Sequence, residues 1–360
     1  MQTTIGGALS RLVSRSLVTG VVSNKETTQT ADSTRLVTAV SGFPKQKTGY
    51  NIDNILKGQI GEDAYFIARH VDDWNSEFIT APGDKSAESA RARNPAHAAT
   101  TPNSNAGVAS VRSAAYSNAD VIGVADGVGG WRQYGVDPGQ FSSQLMRNCE
   151  RLVKAGYVVA NQPQKLLAQG FREMKEAKKQ VIGSSTACVM MLSHADLKLY
   201  TANIGDSGFL VVRKGEVVHK SFEQTHFFNT PFQLSLPPQE LASDVLNDHP
   251  ESADRYEFNV EDGDVILLAT DGIFDNVPDS LLVEEITSKM ASSDSKSTSA
   301  EELSAKLQQA ANSIALIARK LSQDPDFLSP FAQNARANGY NMSGGKEDDI
   351  TVLLAAVKLS

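Results

Sequence analysis

Two short apolar runs, each followed directly by Asp-Gly, constrain this chain more than any other feature. Residues 121–125 lead into Asp126, and residues 265–270 lead into Asp271. Runs of this length with turn signals at their ends are typical of buried β-strands. Each strand is therefore expected to deliver one carboxylate, followed by a glycine turn, at its C-terminal end.

Two acidic pairs stand at the opposite ends of other strand-like runs. Glu62 and Asp63 precede one apolar run, and Asp348 and Asp349 precede another. Because neighbouring strands of an antiparallel sheet run in opposite directions, we expect all four acidic positions to share one sheet edge. Carboxylate oxygens are ligands that Mg²⁺ and Mn²⁺ prefer. A Glu/Asp cluster without His or Cys is what a two-metal hydrolase needs.

The rest of the chain contains further strand-like and helix-like segments. The pattern predicts strands over 186–192, 197–204, 208–213 and 256–260, and helices over 138–155, 163–179, 280–290 and 300–321. Antiparallel strands with helices in grouped pairs predict an α+β fold, an antiparallel β-sandwich flanked by α-helices.

Composition limits the classes of function. With 360 residues, 41% of them hydrophobic, the chain is long enough for one large domain or two small ones. A net charge of −8 argues against nucleic-acid binding, and no apolar run reaches the length of a membrane span. The two cysteines, Cys149 and Cys188, lie in apolar contexts, so we interpret them as core residues rather than a disulfide or nucleophiles. We expect a monomer.

The N-terminal segment differs in charge from the rest of the chain. Residues 1–25 contain no Asp or Glu but include Arg11, Arg15 and Lys25. Apolar residues at helical spacing between these charges predict a basic amphipathic helix. This pattern is typical of a mitochondrial transit peptide, which predicts location in the mitochondrion, in the matrix. The alternative is a frayed terminus of chance composition.

The remaining sequence divides into two parts. Residues 26–47 are polar and are expected to form a flexible segment before a globular domain over 48–360. Within that domain, residues 80–117 are rich in Ala, Ser, Asn, Pro and Gly and poor in large apolar residues. We expect this stretch to be a flexible insertion, because it cannot bury much surface.

Six short motifs follow one another in a fixed order. They are Gly61-Glu62-Asp63, residues 126–130, 183–187, 203–207, 269–275 and 344–352. Together they resemble the protein phosphatase 2C family, which are metal-dependent Ser/Thr phosphatases. The runs 126–131 and 225–234 look like its mitochondrial branch, related to the T-cell-activation phosphatase homologues. The resemblance covers the chain from about Lys57 onwards and implies a pair of antiparallel sheets flanked by helices.

The resemblance also implies a site for two Mg²⁺ or Mn²⁺ ions, with a third ion in some members. The matching positions are Glu62, Asp126, Gly127, Asp271 and Asp348 as metal ligands, with Asp63, Asp206 and Asp349 around them or on a third ion. Asp126 would bridge the two ions, and the Gly127 carbonyl would help to hold one. Asp271 and Asp348 would bind the first ion, and Glu62 the second. Asp126, Asp271 and Asp348 are the residues expected to carry catalysis.

Four positions depart from the family pattern. Gly58 stands where an upstream phosphate-binding Arg is expected, and Val128 stands where a His follows Asp-Gly. Asp349 replaces an Asn after the last metal-binding Asp, and Gly208 replaces an Arg after Gly-Asp-Ser. The sequence therefore does not identify the general acid or the phosphate anchor. Lys57 and Arg132 are candidates for the anchor, with a solvated surface charge as the alternative for each.

Several residues near these motifs have a structural alternative to a functional role. Asp206 lies in a Gly-Asp-Ser sequence that also suits a hairpin turn, and Asp275 is suited to capping the segment that follows it. We interpret His226 as a packed or hydrogen-bonded loop residue. Phe227 and Phe228 are expected to lie in the core rather than to form a substrate platform.

The predicted function is hydrolysis of phosphoserine and phosphothreonine in protein substrates. Two cations would neutralise the phosphate dianion and lower the pKa of a bridging water, so that a hydroxide attacks phosphorus. A pseudophosphatase that binds partners without chemistry is the alternative, and the intact acidic set argues against it. A two-metal nuclease is a third hypothesis, disfavoured by the absence of basic clusters.

Overall fold

The computed structural model describes residues 35–45, 57–70, 118–157, 161–291 and 299–359. The transit peptide predicted over 1–25 and the insertion predicted over 80–117 lie outside these residues. The strands are β1 (Arg35–Phe43), β2 (Gln59–Ile60), β3 (Asp63–His70), β4 (Ala119–Asp126), β5 (Gly183–Ser185), β6 (Ala187–Ser193), β7 (Lys198–Ile204), β8 (Gly208–Arg213), β9 (Glu216–Lys220), β10 (Thr225–Phe227), β11 (Thr230–Pro231), β12 (Leu234–Leu236), β13 (Asp254–Asn259), β14 (Val265–Ala269) and β15 (Ile350–Lys358). The α-helices are α1 (Pro138–Lys154), α2 (Pro163–Glu176), α3 (Asp271–Phe274), α4 (Asp279–Met290), α5 (Ala300–Ser322) and α6 (Pro330–Ala337).

Two antiparallel sheets form the centre of the described part of the chain. The first has the strand order β13-β7-β6-β4-β3-β2, and the second has the order β1-β15-β14-β8-β9. Helices α1 and α2 pack on the first sheet, and α5 packs on the second with α4 beside it. The predicted antiparallel sandwich flanked by helices is confirmed.

The continuous apolar runs of the sequence arise because the central strands are covered on both faces. In β6, Val189 and Met191 contact the core beneath the helices, whereas Cys188 and Met190 contact the core between the sheets. Successive strand residues point to opposite faces, so burial of both faces requires apolar residues at every position. The edge strand β13 instead alternates between half-buried and exposed residues.

The prediction of a flexible segment over 26–47 is wrong for Arg35–Phe43, which form β1. This strand pairs with β15 along its whole length, from Arg35 opposite Lys358 to Phe43 opposite Ile350. Thr38, Ser41 and Gly42 interrupt its apolar pattern, which is why the sequence pattern did not predict a strand here. The small size is required at Gly42, because a methyl group there would overlap the Ile350 carbonyl oxygen. The folded domain therefore begins earlier than residue 48.

The two cysteines are core residues, as the sequence predicts. Cys149 and Cys188 are both fully buried and neither forms a disulfide. Burial raises the pKa of the Cys149 thiol to about 12, so the thiolate is a negligible species at neutral pH. None of the helices in the described residues has the length and apolar character needed to cross a membrane.

Candidate metal centre

Two of the acidic segments meet at one end of the first sheet. Strands β3 and β4 pair so that Asp63 lies directly opposite Asp126. The Gly127 N–H donates to the Glu62 carbonyl at 3.1 Å, which ties the Asp-Gly turn to the neighbouring acidic pair. A side chain at Gly127 would collide with the backbone carbonyls of Glu62 and Pro138. The glycine is therefore required for this close approach.

The other acidic segments lie at the same end of the second sheet. Strand β14 ends before Asp271, and the Thr270 N–H donates to the Thr351 carbonyl at the start of β15. The Thr270 hydroxyl also donates to Asp63 Oδ2 at 2.8 Å, across the gap between the sheets. The expectation of a single sheet edge is therefore wrong. The carboxylates come from matching ends of two packed sheets, because β3 and β4 belong to one sheet and β14 and β15 to the other.

Asp349 connects these two halves through backbone groups. Its carboxylate accepts the Glu62 N–H at 2.8 Å and the Lys45 N–H at 2.5 Å. Gly61 adopts a φ of +64°, and any side chain there would overlap the Asp349 carboxylate. Asp349 thus fixes the position of Glu62, and both of its carboxylate oxygens accept backbone hydrogen bonds.

Gly272 lies against the segment that carries Asp348 and Asp349. A methyl group on Gly272 would overlap the Asp349 carbonyl oxygen. We expect Gly272→Ala to push the start of β15 away from β14, to lower the free energy of unfolding by about 2 kcal/mol or more, and to reduce turnover. Chemical denaturation and aryl phosphate hydrolysis would measure both effects.

Gly130→Ala is the matched control for that substitution. No atom lies within 4 Å of the position that its methyl group would take. Its effect on stability should stay within about 0.5 kcal/mol. Wild-type stability and turnover in Gly272→Ala would contradict the close contact between α3 and β15.

The carboxylates repel one another in this arrangement. Burial, followed by the neighbouring charges of Asp63 and Asp271, holds the pKa of Asp126 well above its usual range. Burial, followed by the charge of Asp271, likewise raises the pKa of Asp206, and raises that of Asp348 to about 6. The site therefore favours positive charge between these groups.

Lys346 supplies one such charge. Its ammonium lies 2.5 Å from Asp271 Oδ2, 2.7 Å from Asp275 Oδ2 and 3.5 Å from Asp348 Oδ2. Burial alone would raise the pKa of Asp271, but the Lys346 ammonium beside it holds the pKa below its ordinary value. The side chain of Lys346 is only 18% exposed, so this is a largely buried ion-pair network.

The residues fit a group of divalent cations, although they do not enclose one as they stand. Within the described residues, no three Asp, Glu, His or Cys side chains already have an arrangement that could hold an ion. The Lys346 ammonium lies among three of the carboxylates and offsets their charge. Asp271 Oδ1 is buried and accepts no hydrogen bond, so it retains an oxygen for a cation.

Comparisons with known proteins identify a matching family model and two similar curated proteins. A family model described as Stage II sporulation protein E (SpoIIE) matches residues 119–358. A "Protein phosphatase PTC7 homolog" of Danio rerio is 54% identical over 244 residues, which cover 68% of this chain and 79% of that protein. The protein of the same name from Homo sapiens is also 54% identical, over 68% of this chain and 77% of its own length.

The chain belongs to the SpoIIE-type protein phosphatase 2C family. It is accordingly a Ser/Thr phosphatase. Among solved structures, the X-ray structure of the photosystem II phosphatase PBCP has a TM-score of 0.61 and 27% sequence identity. The alignment covers 91% of this chain and all of that one.

One of the departures from the phosphatase 2C pattern has a structural basis here. Val128 has an extended backbone before the helical turn Gly129–Tyr134, and nothing in the structure explains the valine. A side chain at Gly208 would overlap the Ser221 hydroxyl, which itself accepts the Phe209 N–H at 2.9 Å. A side chain at Gly208 would therefore have to displace Ser221 from its contact with β8.

The two candidate phosphate anchors differ in position. The Arg132 Nε lies 2.5 Å from Glu62 Oε1, and half of the arginine side chain is exposed. Lys57 is exposed in the turn before β2, and it forms no ion pair with the acidic residues of the described site. The structure therefore places Arg132, and not Lys57, against the acidic cluster.

Some predicted structural roles are confirmed and others are wrong. His226 is hydrogen-bonded to Asp248 at 3.0 Å and stacks on a neighbouring ring, as predicted, although it lies in strand β10 rather than in a loop. Asp275 binds Lys346 and therefore belongs to the site. Phe227 is 65% exposed, so its placement in the core is wrong, and Phe228 is half-buried between two aromatic rings.

Sequence reasoning missed the residues that organise the acidic cluster. Asn276 donates to the carbonyls of Gly272 and Lys346, and its Oδ1 accepts the Lys346 N–H at 2.8 Å. Asn276 is fully buried and holds the loop that delivers Lys346. The signal available was its location directly after a metal-site motif.

Proposed function

We propose that this phosphatase requires Mg²⁺ or Mn²⁺ and acts on phosphoserine and phosphothreonine of proteins in the mitochondrial matrix. The observation that carries the metal requirement is the convergence of carboxylates from two sheets. Asp126 lies close enough to Asp271 for their charges to interact, and Asp271 and Asp348 share the Lys346 ammonium. Carboxylates that repel one another in a partly buried site are stabilised by cations. Oxygen-only ligands favour hard divalent ions.

The proposed ligands follow from the positions of these groups. Two ions would be held by Glu62, Asp126, the Gly127 carbonyl, Asp271 and Asp348, with Asp206 available to a third ion. Asp63 would remain hydrogen-bonded to Thr270 and would support the ligands without binding an ion itself. When bound, such ions neutralise a phosphate dianion and lower the pKa of a water.

The chain itself supplies substrate binding. Arg132 lies at the exposed rim of the site and offers a guanidinium, which matches the geometry of phosphate oxygens. We propose that Arg132 binds the substrate phosphate when a cation takes its place beside Glu62. Lys346 moves no proton; its ammonium holds Asp271 and Asp275 in position while the ions are absent.

Metal-dependent turnover tests the proposed function directly. Purified protein should hydrolyse p-nitrophenyl phosphate and a phosphothreonine peptide with Mn²⁺ or Mg²⁺, and both activities should be lost with EDTA. A pseudophosphatase would bind the peptide and release no phosphate under any of these conditions. Turnover that persists in EDTA would contradict the proposed metal requirement.

The proposed location rests on the basic N-terminal segment. An amphipathic helix without acidic residues is drawn toward the negative matrix by about 2.3 kcal/mol per charge per 100 mV. We expect residues 1–25 fused to a fluorescent protein to enter mitochondria, and Arg11→Glu with Arg15→Glu to leave the fusion in the cytosol. Confocal imaging with a matrix marker would measure this difference.

A matched control keeps the length and apolar residues of that segment while preserving its charge. Arg11→Lys with Arg15→Lys should still enter mitochondria, because the helix stays basic. If the Glu and Lys fusions have the same distribution in the cell, residues 1–25 are not a mitochondrial targeting signal.

A further inference from the structure

A pocket opens beside the acidic cluster, between the β10–β11 hairpin and helix α6. Its volume is about 170 Å³, enough for one side chain and not for a folded segment. Asp206 and Asp271 form part of its wall, so the pocket is continuous with the proposed metal site. A group bound in it would therefore belong to the same substrate as the phosphate.

Aromatic rings form much of the remaining wall. They are contributed by Phe227 and Phe228 of the hairpin, by Phe274 of α3 and by Phe331 of α6. The hairpin is anchored by Phe228, whose ring centroid lies 5.3 Å from that of Phe331 and 5.0 Å from that of Tyr340. Phe227 beside it is largely exposed at the pocket, so its ring face is open to a ligand.

The charges that line the pocket have one sign. Carboxylates of Glu223 and Asp275 join those of Asp206 and Asp271, and none of the described lining residues is cationic. Glu223 has no ion-pair partner among the described residues, although the Lys220 and Lys346 ammonium groups lie near enough to act on its charge. Because divalent ions would neutralise the carboxylates nearest the phosphate, Glu223 is the charge left to attract a cationic ligand.

The chain already pairs cations with these rings. The Lys346 ammonium lies 5.2 Å from the centroid of Phe331, and the Lys220 ammonium lies 5.5 Å from that of Phe274. Aromatic faces beside carboxylates favour a cation, and a planar guanidinium can stack on a ring while it binds a carboxylate. The exposed ring of Phe227 and the Glu223 carboxylate therefore suit an arginine side chain, whose planar guanidinium can contact both.

We propose that this pocket binds an arginine of the phosphoprotein substrate, within three residues of the phosphorylated Ser or Thr. The separation follows from the shared wall, since three residues of extended chain span roughly 10 Å. This inference rests on the proposed function, because it assigns the pocket to the substrate of the phosphatase site.

The test is a set of phosphothreonine peptides that differ only in the position of one arginine, from three residues before to three after the phosphothreonine. At one position, kcat/KM for the Arg peptide should exceed that for the matching Gln peptide by about tenfold. Glu223→Gln and Phe227→Ala should each reduce this Arg-to-Gln ratio toward one. Glu223→Lys should reverse the preference, so that a Glu peptide at that position is favoured over the Arg peptide.

Two exposed residues outside the pocket provide matched controls. Phe222→Ala removes a ring that is 71% exposed, and Glu240→Gln removes an exposed carboxylate. Both variants should retain the wild-type Arg-to-Gln ratio. An equal preference for Arg, Gln and Leu peptides at every position would overturn the proposal, as would a preference that survives both Glu223→Gln and Phe227→Ala.

Binding separates this inference from the proposed function. The affinities of phosphonate analogues of the Arg and Gln peptides can be measured by calorimetry without turnover. Selective binding that depends on Glu223, without hydrolysis of any phosphopeptide, would retain the pocket and contradict the phosphatase proposal. Hydrolysis of the phosphopeptides without selectivity for Arg in either assay would support the phosphatase proposal and contradict the proposed role of the pocket.

Discussion

Asp126→Asn should reduce turnover by at least about 1,000-fold, equivalent to about 4 kcal/mol of transition-state stabilisation. Asp126 lies opposite Asp63 at the ends of β3 and β4, and close enough to Asp271 that their charges interact. The substitution removes the carboxylate proposed to be shared by two ions while keeping the shape of the side chain. Added Mn²⁺ should therefore not restore full activity.

The same substitution should leave the metal-free protein at least as stable as the wild type. Burial and the neighbouring carboxylates raise the pKa of Asp126, so its charged form is disfavoured in the folded state. A neutral amide removes that repulsion. Thermal unfolding in EDTA would measure this effect, with Asp326→Asn, an exposed carboxylate, as the control. Near wild-type turnover in Asp126→Asn would show that the metal assignment is wrong.

Lys346→Met should destabilise the metal-free protein by about 3 kcal/mol, since breaking a buried ion pair leaves uncompensated charges. The ammonium contacts Asp271 and Asp275 and lies near Asp348. The variant should also bind Mn²⁺ more tightly, because no ammonium competes for these carboxylates. Unfolding in EDTA and calorimetric Mn²⁺ titration would measure the two effects.

Lys220→Met is the control for this variant. The Lys220 ammonium binds Asp279 at 2.8 Å, in a pair whose two side chains are each 41% exposed. Exposed pairs contribute little, so its stability should fall by less than about 1 kcal/mol and its Mn²⁺ affinity should not change. Equal Mn²⁺ affinities in wild type and Lys346→Met would contradict competition between the ammonium and the metal.

The positions of the acidic residues could be predicted because each is tied to a strand end. An apolar run followed by Asp-Gly predicts where Asp126 and Asp271 emerge, without knowledge of the strand neighbours. The division into two sheets could not be predicted, since nothing in a buried run identifies its partner strand. Strand β1 was missed for a related reason, because its two faces are covered by helix α5 and by the other sheet, which lie far away in sequence.

The Lys346 ammonium within the acidic cluster could not be predicted, because its position depends on contacts between distant parts of the chain. Lys346 reaches Asp271 because Asn276 holds the backbone of its loop, across 70 residues of sequence. The pocket likewise combines a hairpin at Phe227 with helix α6, which the sequence pattern did not predict. Such side chains carry no local signal of their role.

A manganese-soaked crystal measured at the manganese absorption edge would test the central claim most directly. We expect two anomalous peaks that both contact the Asp126 carboxylate, with Asp271 and Asp348 on one and Glu62 on the other. The Lys346 ammonium should have moved away from Asp271 Oδ2, which it contacts in this structure. Peaks that avoid Asp126, or an ammonium that remains on Asp271 at full metal occupancy, would contradict the proposed centre.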